Sequence, residues 1–385
     1  MILEKSFDVL ILGAGINGLS TAYHLSSHPQ LKIGMVEQFS LGNSFGGSHG
    51  ASRIIRSTYS HPMYINLVQR ALKHDWVALE KEMGRALIYP NSACYFGSGK
   101  SYETYVQAMV NSGLAIDVLE ASVASRLYPQ FRFQKGTTVL HDQTGGVIAA
   151  KETMDGLALL IAKKRVKIYE QTKVLEIDNS QTPIRVVTDR GELFTERLVI
   201  TVGAWMNKLL PDLNPIVTPI RQTVAYFKLK GPKANYQVGT FPNWAFVGDK
   251  PNEVFYGLPE FGSEGIKVSQ HMTVGSPDNP DVKSAVVDPK QVEVLRHFVQ
   301  EHFVPSIERL VHSETCFYAN TPNEDFLIDR LPADHRIVIG SACSGHGFKF
   351  APLLGKVLAE LVLEGKTTIP EFEEAKHAFS LNRSR

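Results

Sequence analysis

The chain has 385 residues, 43% of them hydrophobic and 21% charged, with 40 Lys and Arg against 39 Asp and Glu. This length predicts two domains or one large, subdivided domain, and the net charge of +1 gives no sign of a nucleic-acid partner. No apolar run approaches the ~20 residues that cross a bilayer, and the start lacks a signal-peptide pattern. Three cysteines in so long a chain predict reduced thiols and a cytoplasmic protein.

The amino-terminal segment has a pattern typical of dinucleotide binding. The run from Asp8 to Leu12 predicts a buried parallel strand. The next six residues, "GAGING", match G-x-G-x-x-G through Gly13, Gly15 and Gly18. The first glycine permits a tight turn, the second lets a pyrophosphate approach the backbone, and the third lets the following helix pack close to the strand. The helix amino terminus offers free N–H groups to the phosphates.

A second predicted strand, "LKIGMVEQ", carries the acid that completes this pattern. Glu37 lies 24 residues after Gly13, close to the ~20 expected for the acid that binds a ribose hydroxyl. The alternative is a glycine-rich turn with an unrelated surface glutamate. The order of strand, turn, helix, strand and acid favours dinucleotide binding, but it leaves the choice between FAD and NAD open.

The elements that follow alternate between loops, helices and strands. After a Gly- and Ser-rich loop, Arg53 and Arg56 are three residues apart and would share a face of a helix. Residues 62–83 have helical periodicity, "ACYFGSG" predicts a strand, and "YETYVQAMVNSGL" predicts a helix. A long helix follows the glycine pair in "GGVIAAKETMDGLALLIAKKR". Residues 166–205 predict successive strands, with a hairpin at residues 189–191.

The character of the chain changes near residue 211. From there to about residue 319, β-rich, aromatic segments separated by Pro and Gly predict an antiparallel sheet, with one helix over residues 289–303. The last segment predicts a strand, a glycine-rich loop and a helix that return to the first domain. We therefore expect an α/β chain, α+β overall. Its nucleotide-binding domain would comprise residues 1–90, 145–210 and 320–385, and its substrate domain residues 91–144 and 211–319.

Five motifs, in order along nearly the whole chain, resemble the monomeric sarcosine oxidase family. They are "GAGINGLSTAYHL", "SHGASRIIR", "ITVGAW", "CFYANTPNEDFLID" and "SGHGFKFAP". The family includes sarcosine oxidase, N-methyltryptophan oxidase and L-pipecolate oxidase. The resemblance implies a glycine/D-amino-acid-oxidase-like fold with a Rossmann-like FAD domain. It also implies a monomer that oxidises a small secondary amino acid, N-methyl or cyclic, to an imine while O2 becomes hydrogen peroxide.

The resemblance also assigns a role to Cys316, which by itself would be interpreted as a small buried hydrophobe. In the family, the cysteine of this motif is bonded through sulfur to the flavin. FAD covalently attached at Cys316 is thus expected, whereas Cys94 and Cys343 carry no such motif. No metal is expected.

Five further residues receive roles from the same resemblance. Arg56 and Lys349 would bind the substrate carboxylate, because a charged hydrogen bond is strong in a partly dry site. Lys267 would stabilise the negative charge that develops on oxygen. His49 and Arg53 would lie beside the flavin ring. Taken alone, Arg56 could equally be a solvated residue, Lys267 an outward-facing strand lysine and His49 a turn cap.

The remaining candidates line the expected pocket. Tyr256 and Tyr318 would face the substrate amine through their rings, and strand alternation places His271 on the face of Lys267. Gly345 and Gly347 precede a helix whose amino terminus would face the negative charge that flavin carries when reduced.

Several alternatives stay open. The same machinery could act on N-methyltryptophan, pipecolate or a fructosyl amino acid, depending on whether Trp244 and Phe246 narrow the pocket. An NAD-dependent dehydrogenase would explain the glycine motif but neither Cys316 nor the terminal "GHGFK". A non-catalytic flavoprotein would leave the set of cationic residues unexplained.

Overall fold

A computed structural model describes residues 5–213, 217–273, 275, 277–282, 287–341 and 343–383. Its strands are β1 (Ser6–Leu12), β2 (Ile33–Val36), β3 (Ser52–Ile55), β4 (Ile88–Pro90), β5 (Ala93–Gly97), β6 (Ile116–Glu120), β7 (Thr138–Asp142), β8 (Gly146–Ala149), β9 (Lys167–Tyr169), β10 (Val174–Asp178), β11 (Ile184–Thr188), β12 (Gly191–Ile200), β13 (Thr218–Leu229), β14 (Asn243–Val247), β15 (Val254–Leu258), β16 (Ile266–Gln270), β17 (Ile307–Asn320), β18 (Leu327–Leu331) and β19 (Asp334–Ser341).

The helices are α1 (Ile16–Leu25), α2 (Pro62–Arg70), α3 (Trp76–Met83), α4 (Gly99–Asn111), α5 (Ala121–Leu127), α6 (Ala150–Lys163), α7 (Met206–Leu209), α8 (Pro289–His302), α9 (Ala351–Glu364) and α10 (Pro370–Phe379). A π-helical turn, Ala71–Asp75, joins α2 to α3. The predicted helices over 62–83 and 289–303 are therefore confirmed.

The first sheet has a parallel core in the order β9-β2-β1-β12-β19. Residues 9–12 of β1 are fully buried, because helices cover one face of the sheet and a second apolar cluster covers the other. The predicted parallel strand is thus confirmed. The hairpin of β11 and β12 turns at residues 189–190 and continues the sheet in the antiparallel sense.

The helical layer on the first sheet consists of α1, α6 and α9. Leu19 of α1, Leu157 of α6 and Leu354 of α9 are buried in one cluster. α1 and α9 come from opposite ends of the sequence, so the chain closes on itself in this layer. This packing brings the loop before α9 next to the loop before α1.

The second sheet has the order β17-β13-β16-β15-β14-β5-β7-β6. Six of its pairings are antiparallel, but β14 pairs with β5 in the parallel sense. The antiparallel sheet predicted for residues 211–319 is confirmed by β13 to β17, and the parallel pairing joins it to β5, which lies outside that range. The two strands belong to distant segments of the chain, so no hairpin dictates their relative direction. Helix α8 packs on the sheet through Phe298, which stacks on Trp244.

The segment with the two arginines is a strand and not a helix. β3 pairs with β8 in a third, three-stranded sheet, and Arg56 follows its last residue. Because side chains alternate along extended chain, residues three apart point to opposite sides. Arg53 and Arg56 are therefore expected on opposite sides of the chain, contrary to the shared helical face predicted from their spacing.

The strands of the first sheet come from residues 6–36, 167–200 and 327–341, and those of the second from residues 93–142 and 218–320. The domain boundaries placed near residues 90, 145, 210 and 320 stay a prediction. Among the described residues, no helix has the length and apolar character that crossing a membrane requires.

Candidate active site

A cavity of about 1000 Å³ lies between the first and second sheets. Its walls come from the glycine-rich turn after β1, the loop between β2 and β3, the end of β17 and the loop before α9. It extends from the turn at residues 13–17 to the cationic residues near Lys267 and Lys349. An elongated ligand could therefore contact the turn and the cations together.

The turn at one end has the features of a phosphate-binding loop. Gly13 has φ +95°, a conformation that favours glycine. A Cβ on Gly18 would lie 2.0 Å from the carbonyl oxygen of Gly13, so only glycine permits this approach of α1 to β1. Gly15 precedes α1, and the backbone N–H of Ile16 in its first turn donates to Ser48 Oγ at 3.1 Å.

Glu37 lies beside this turn, immediately after β2. Its carboxylate accepts hydrogen bonds from the backbone N–H groups of Ala14 at 2.8 Å and Phe39 at 3.0 Å. Burial raises the pKa of Glu37, and these two bonds oppose that effect. Since a carboxylate has about four acceptor sites, it can also accept a ribose hydroxyl. The glycine turn, the helix amino terminus and the acid together fit the adenosine-diphosphate half of FAD.

The opposite end of the cavity contains two neighbouring cations. The Lys349 ammonium donates to Tyr59 Oη at 2.9 Å and to the His346 carbonyl at 2.8 Å. The Arg56 guanidinium lies 4.5 Å from the centre of the same Tyr59 ring. Across the residues that the structure covers, neither cation forms an ion pair with an acidic side chain.

This arrangement favours an anionic ligand. Burial, and then the charge of Arg56, hold the pKa of Lys349 well below its usual range. Burial and the Lys349 charge likewise lower the pKa of His346, whose ring lies between Tyr59 Oη and the Glu324 carbonyl. A carboxylate between Arg56 and Lys349 would relieve the repulsion, because an opposite charge favours the charged form of each base.

Strand alternation builds one wall of the cavity from β17. Glu314, Cys316 and Tyr318 are two residues apart, share one face of the strand and line the cavity. Lys267 of β16 lies on the same wall and donates to the Ser52 carbonyl at 3.2 Å. Burial, and then the charge of Arg53, lower its pKa to about 7.

Arg53 and His49 lie next to this wall. The Arg53 guanidinium donates to the carbonyls of Ser52 at 2.8 Å and Gly47 at 2.9 Å. His49 Nε2 is 3.5 Å from Glu314 Oε2. The structure thus brings Arg53, His49 and Lys267 together, and it places Arg56 with Lys349 at a separate position.

The thiol of Cys316 differs from that of Cys94 in its surroundings. Cys316 is partly exposed and lines the cavity, whereas Cys94 is enclosed in the core against the second sheet. Burial raises the pKa of Cys316, while the charges of Arg53 and Lys267 lower it. Cys343 also lines the cavity and accepts a hydrogen bond from Asn17 Nδ2 at 3.2 Å.

The aromatic candidates also lie at the cavity. The hydroxyls of Tyr256 and Tyr318 are 3.1 Å apart. Gly345, with φ +77°, lies against the Tyr318 ring, where an added Cβ would approach to 2.3 Å. The His271 ring lies 5.4 Å from that of Tyr318, and its Nε2 is 3.4 Å from Glu324 Oε2.

The last candidate residues are Gly347 and two bulky residues, Trp244 and Phe246, which could narrow the pocket. Gly347 lies against Cys343, whose Cβ would be 2.3 Å from an added Cβ. Trp244 is fully buried, and its ring stacks on Phe298. Phe246 lines a separate cavity beside α8. Trp244 nevertheless lines the large cavity, whereas Phe246 does not, so Phe246 points away from the substrate pocket and narrowing by Trp244 stays a prediction.

Sequence reasoning missed three residues of the site, namely Tyr59, Glu314 and His346. The alternation that places Cys316 and Tyr318 on one face also places Glu314 there, so this residue could have been found. Tyr59 and His346 carry no such signal. Within the described ranges, no group of three or more His, Cys, Asp or Glu side chains is arranged to hold a metal ion.

Comparisons with known proteins agree with this cofactor. The family model described as FAD dependent oxidoreductase matches residues 8–361. The chain belongs to this family. The expectation of FAD in preference to NAD is confirmed, as is that of a flavin-dependent oxidoreductase.

The relatives confirm the resemblance to sarcosine oxidases. Peroxisomal sarcosine oxidase of Mus musculus is 33% identical over 365 residues, covering 93% of this chain and 92% of that protein. Monomeric sarcosine oxidase of Bacillus sp. strain B-0618 is 30% identical and covers 99% and 97% of the two chains. N-methyl-L-tryptophan oxidase of Yersinia pestis is 28% identical and covers 98% and 100%.

Solved structures confirm the fold. NikD, described as an unusual amino acid oxidase essential for nikkomycin biosynthesis, matches with a TM-score of 0.84 at 23% identity, over 95% of this chain and 96% of NikD. Glycine oxidase from Geobacillus kaustophilus matches with a TM-score of 0.80 at 16% identity, over 99% and 100% of the two chains. At these identities, the likeness concerns the fold alone.

Proposed function

We propose that this enzyme oxidises a small secondary amino acid, N-methyl or cyclic, to the corresponding imine and reduces O2 to hydrogen peroxide. The names of its relatives, sarcosine oxidase and N-methyl-L-tryptophan oxidase, support substrates of this class. The reaction removes two electrons and two protons from the C–N unit of the substrate and transfers them to O2. Bound FAD would supply the electron acceptor between these two reactants.

The observation that carries the proposal is the pair of cations Arg56 and Lys349 at one end of the cavity. Two neighbouring cations without an acidic partner among the described residues are suited to a carboxylate. Arg56 can bind it in a bidentate manner and so fix the orientation of the substrate. Tyr256 and Tyr318 would then line the amine side of the substrate, with His271 next to Tyr318.

The reduction of oxygen also requires a cation, because negative charge develops on O2. Lys267 would provide the buried cation that stabilises negative charge as O2 is reduced. Arg53 and His49, which lie on the same wall as Lys267, would contact the flavin ring. Gly345 and Gly347, in the loop before α9, would border the ring on another side.

The experiment that tests the substrate class is hydrogen peroxide release across a panel of amines. The panel contains sarcosine, L-proline, L-pipecolate, N-methyl-L-tryptophan, a fructosyl amino acid and N-methylbutylamine. We expect turnover of at least one carboxylate-bearing secondary amine and none of N-methylbutylamine, which would leave both cations unpaired. Comparable turnover of N-methylbutylamine would refute the assignment of Arg56 and Lys349.

The relative rates of hydrogen peroxide release from the amino acids of the panel distinguish between the remaining candidate substrates. Trp244 lines the cavity while its ring stacks on Phe298. Phe246 lines a separate cavity, so Phe246 does not exclude N-methyltryptophan or a fructosyl amino acid. We retain the small secondary amino acid as the proposed substrate. A clear preference for N-methyl-L-tryptophan would refute the proposal of a small substrate. It would not contradict the assignment of Arg56 and Lys349 to the substrate carboxylate.

We further propose that FAD is covalently bound through the sulfur of Cys316. The support is a thiol that lines the cavity and is affected by the charges of Arg53 and Lys267, in a motif resembling that of the family. Acid precipitation of the flavin-loaded protein should leave the yellow colour in the pellet, and Cys316→Ser should release it. Colour that remains wholly in the supernatant of the native protein would refute the link.

The protein is also proposed to be a cytoplasmic monomer. Cys94, Cys316 and Cys343 form no disulfide with one another, as expected in a reducing compartment. Gel filtration with light scattering should give the mass of one 42.7 kDa chain.

A further inference from the structure

Glu314 is a partly buried carboxylate within a group of cations. It lies on the cavity wall that also contains Lys267, the residue proposed to act on oxygen. Around Gly50, the position of an added Cβ would lie 3.3 Å from Arg53 Nη1, 3.4 Å from Glu314 Oε1 and 4.0 Å from Lys267 Nζ. The three charged groups thus converge on one point. Glu314 Oε2 is also 3.5 Å from His49 Nε2.

The position of the Glu314 carboxylate is set by groups on several elements. The Tyr226 hydroxyl of β13 donates to Glu314 Oε1 at 2.9 Å, while His49 lies next to Oε2. Burial acts to raise the pKa of Glu314, but the hydrogen bond and charge of His49, together with Lys267, lower it to about 2. The titratable and charged groups that face it are His49, Arg53, Tyr226, Lys267 and Cys316, with His312 stacked on the outer side of Tyr226.

We propose that Glu314 is a positioning residue for the reaction with oxygen, whose carboxylate keeps Lys267 in the ammonium form. The proposal rests on the function proposed above, in which Lys267 stabilises charge on O2. Lys267 is buried beside Arg53, and both conditions disfavour its ammonium form. A fixed negative charge next to both cations opposes this effect, because Coulomb energies are large where water is scarce.

The same carboxylate would act on the other groups of the wall. It orients His49, whose Nδ1 is 3.0 Å from the Gly46 carbonyl. It also lies two residues before Cys316 on the same face of β17. Glu314 itself would not contact the reacting carbon of the substrate, so its removal should slow the reoxidation of flavin more than its reduction by substrate.

The test is the pH dependence of reoxidation of the substrate-reduced holoenzyme by O2, measured by stopped flow. In Glu314→Gln, the pH above which reoxidation slows should move down by about one unit or more. At pH values above the native limit, the ammonium fraction, and hence the rate, should be about tenfold lower for every pH unit by which the limit has moved. Below the new limit, the variant should reoxidise at the native rate. A merely structural role would lower the rate equally at every pH, and this result, or an unchanged profile, would overturn the proposal.

The matched control is Glu308→Gln, which removes an acid from the exposed part of the same strand. Glu308 pairs with Lys228 far from the cavity, so its pH profile should coincide with that of the native protein. Flavin content, measured by visible absorbance, normalises all rates. If Glu314→Gln does not take up flavin, Glu314→Ala removes the same charge. Its profile should move in the same direction by about one unit or more, and coincidence with the native profile would then overturn the proposal.

Lys267→Met separates this proposal from the proposed function. We expect it to slow reoxidation ~10²–10³-fold, the usual effect of removing one well-placed electrostatic stabiliser. Adding Glu314→Gln to it should then produce no further shift of the pH profile, since that shift depends on the Lys267 ammonium. Native reoxidation in Lys267→Met would refute the role of Lys267 itself. A slow Lys267→Met with a Glu314→Gln profile that coincides with the native one would refute only the role of Glu314.

Discussion

The two ends of the large cavity use different chemistry to bind their ligands. At the nucleotide end, the groups are backbone N–H groups, the carboxylate of Glu37 and glycines that leave room for an approaching phosphate. At the catalytic end, the groups are side-chain cations, several without an acidic partner among the described residues. The nucleotide end depends on backbone shape and the catalytic end on charge. Substitutions at the nucleotide end should therefore impair FAD binding, and those at the catalytic end should impair turnover.

The largest effect is expected at the nucleotide end, from Gly18→Val. A Cβ there would meet the Gly13 carbonyl at 2.0 Å, so α1 must move away from β1 and the phosphate-binding turn is lost. We expect no measurable FAD in the purified protein. The control is Gly275→Ala, whose Cβ would have its nearest neighbour at 3.8 Å and which should retain full flavin content. Normal FAD content in Gly18→Val would contradict the close-approach argument.

Arg56→Met tests whether substrate turnover can be lost without loss of cofactor binding. The variant should keep its flavin but lose about 10²- to 10³-fold in kcat/KM, because the substrate carboxylate loses its bidentate partner. Steady-state peroxide release and the visible spectrum measure these two properties. A variant that loses flavin and activity together would show that the two ends are not independent.

The pH dependence of ligand binding sharpens the comparison further. Burial and Arg56 lower the pKa of Lys349 in the free enzyme, and a bound carboxylate raises it again. The bound state therefore holds more protons than the free state. Between the two pKa values, the affinity for acetate, measured by flavin absorbance changes, should fall about tenfold per pH unit as the pH rises.

Lys349→Met is the corresponding check. It should weaken acetate binding at low pH and remove the dependence, while pH-independent binding by the native protein would contradict a lowered pKa of Lys349 in the free enzyme. Calorimetry in two buffers of different ionisation enthalpy should detect proton uptake in the native protein only.

The smallest effect is expected from the neutral groups of the catalytic end. Tyr256→Phe removes one hydroxyl of the Tyr256–Tyr318 pair, which are joined by a 3.1 Å hydrogen bond. A neutral hydrogen bond contributes ~1 kcal/mol, so kcat/KM should fall by less than about tenfold. Tyr318→Phe should have a similar effect. A loss near that of Arg56→Met would indicate that the phenol bears charge or transfers a proton in the reaction.

The amino-acid sequence by itself determined the nucleotide end and the motif around Cys316. Both depend on local rules: glycine spacing controls the turn after a strand, and a run of buried apolar residues predicts a parallel strand. The alternation along β17 likewise follows from the geometry of a strand. It places Glu314, Cys316 and Tyr318 on one face and could have identified Glu314 from the sequence.

Only the tertiary structure decided which charges meet. The conformation of residues 52–56 depends on pairing with β8, and this pairing places Arg53 and Arg56 on opposite sides of the chain where local spacing suggested a shared helical face. The environment of Lys349 is formed with Tyr59, nearly three hundred residues earlier in the chain. The orientations of the Trp244 and Phe246 side chains depend on α8, whose Phe298 stacks on the Trp244 ring. Such contacts join distant segments, and their electrostatic energies depend on burial, which local sequence patterns do not encode.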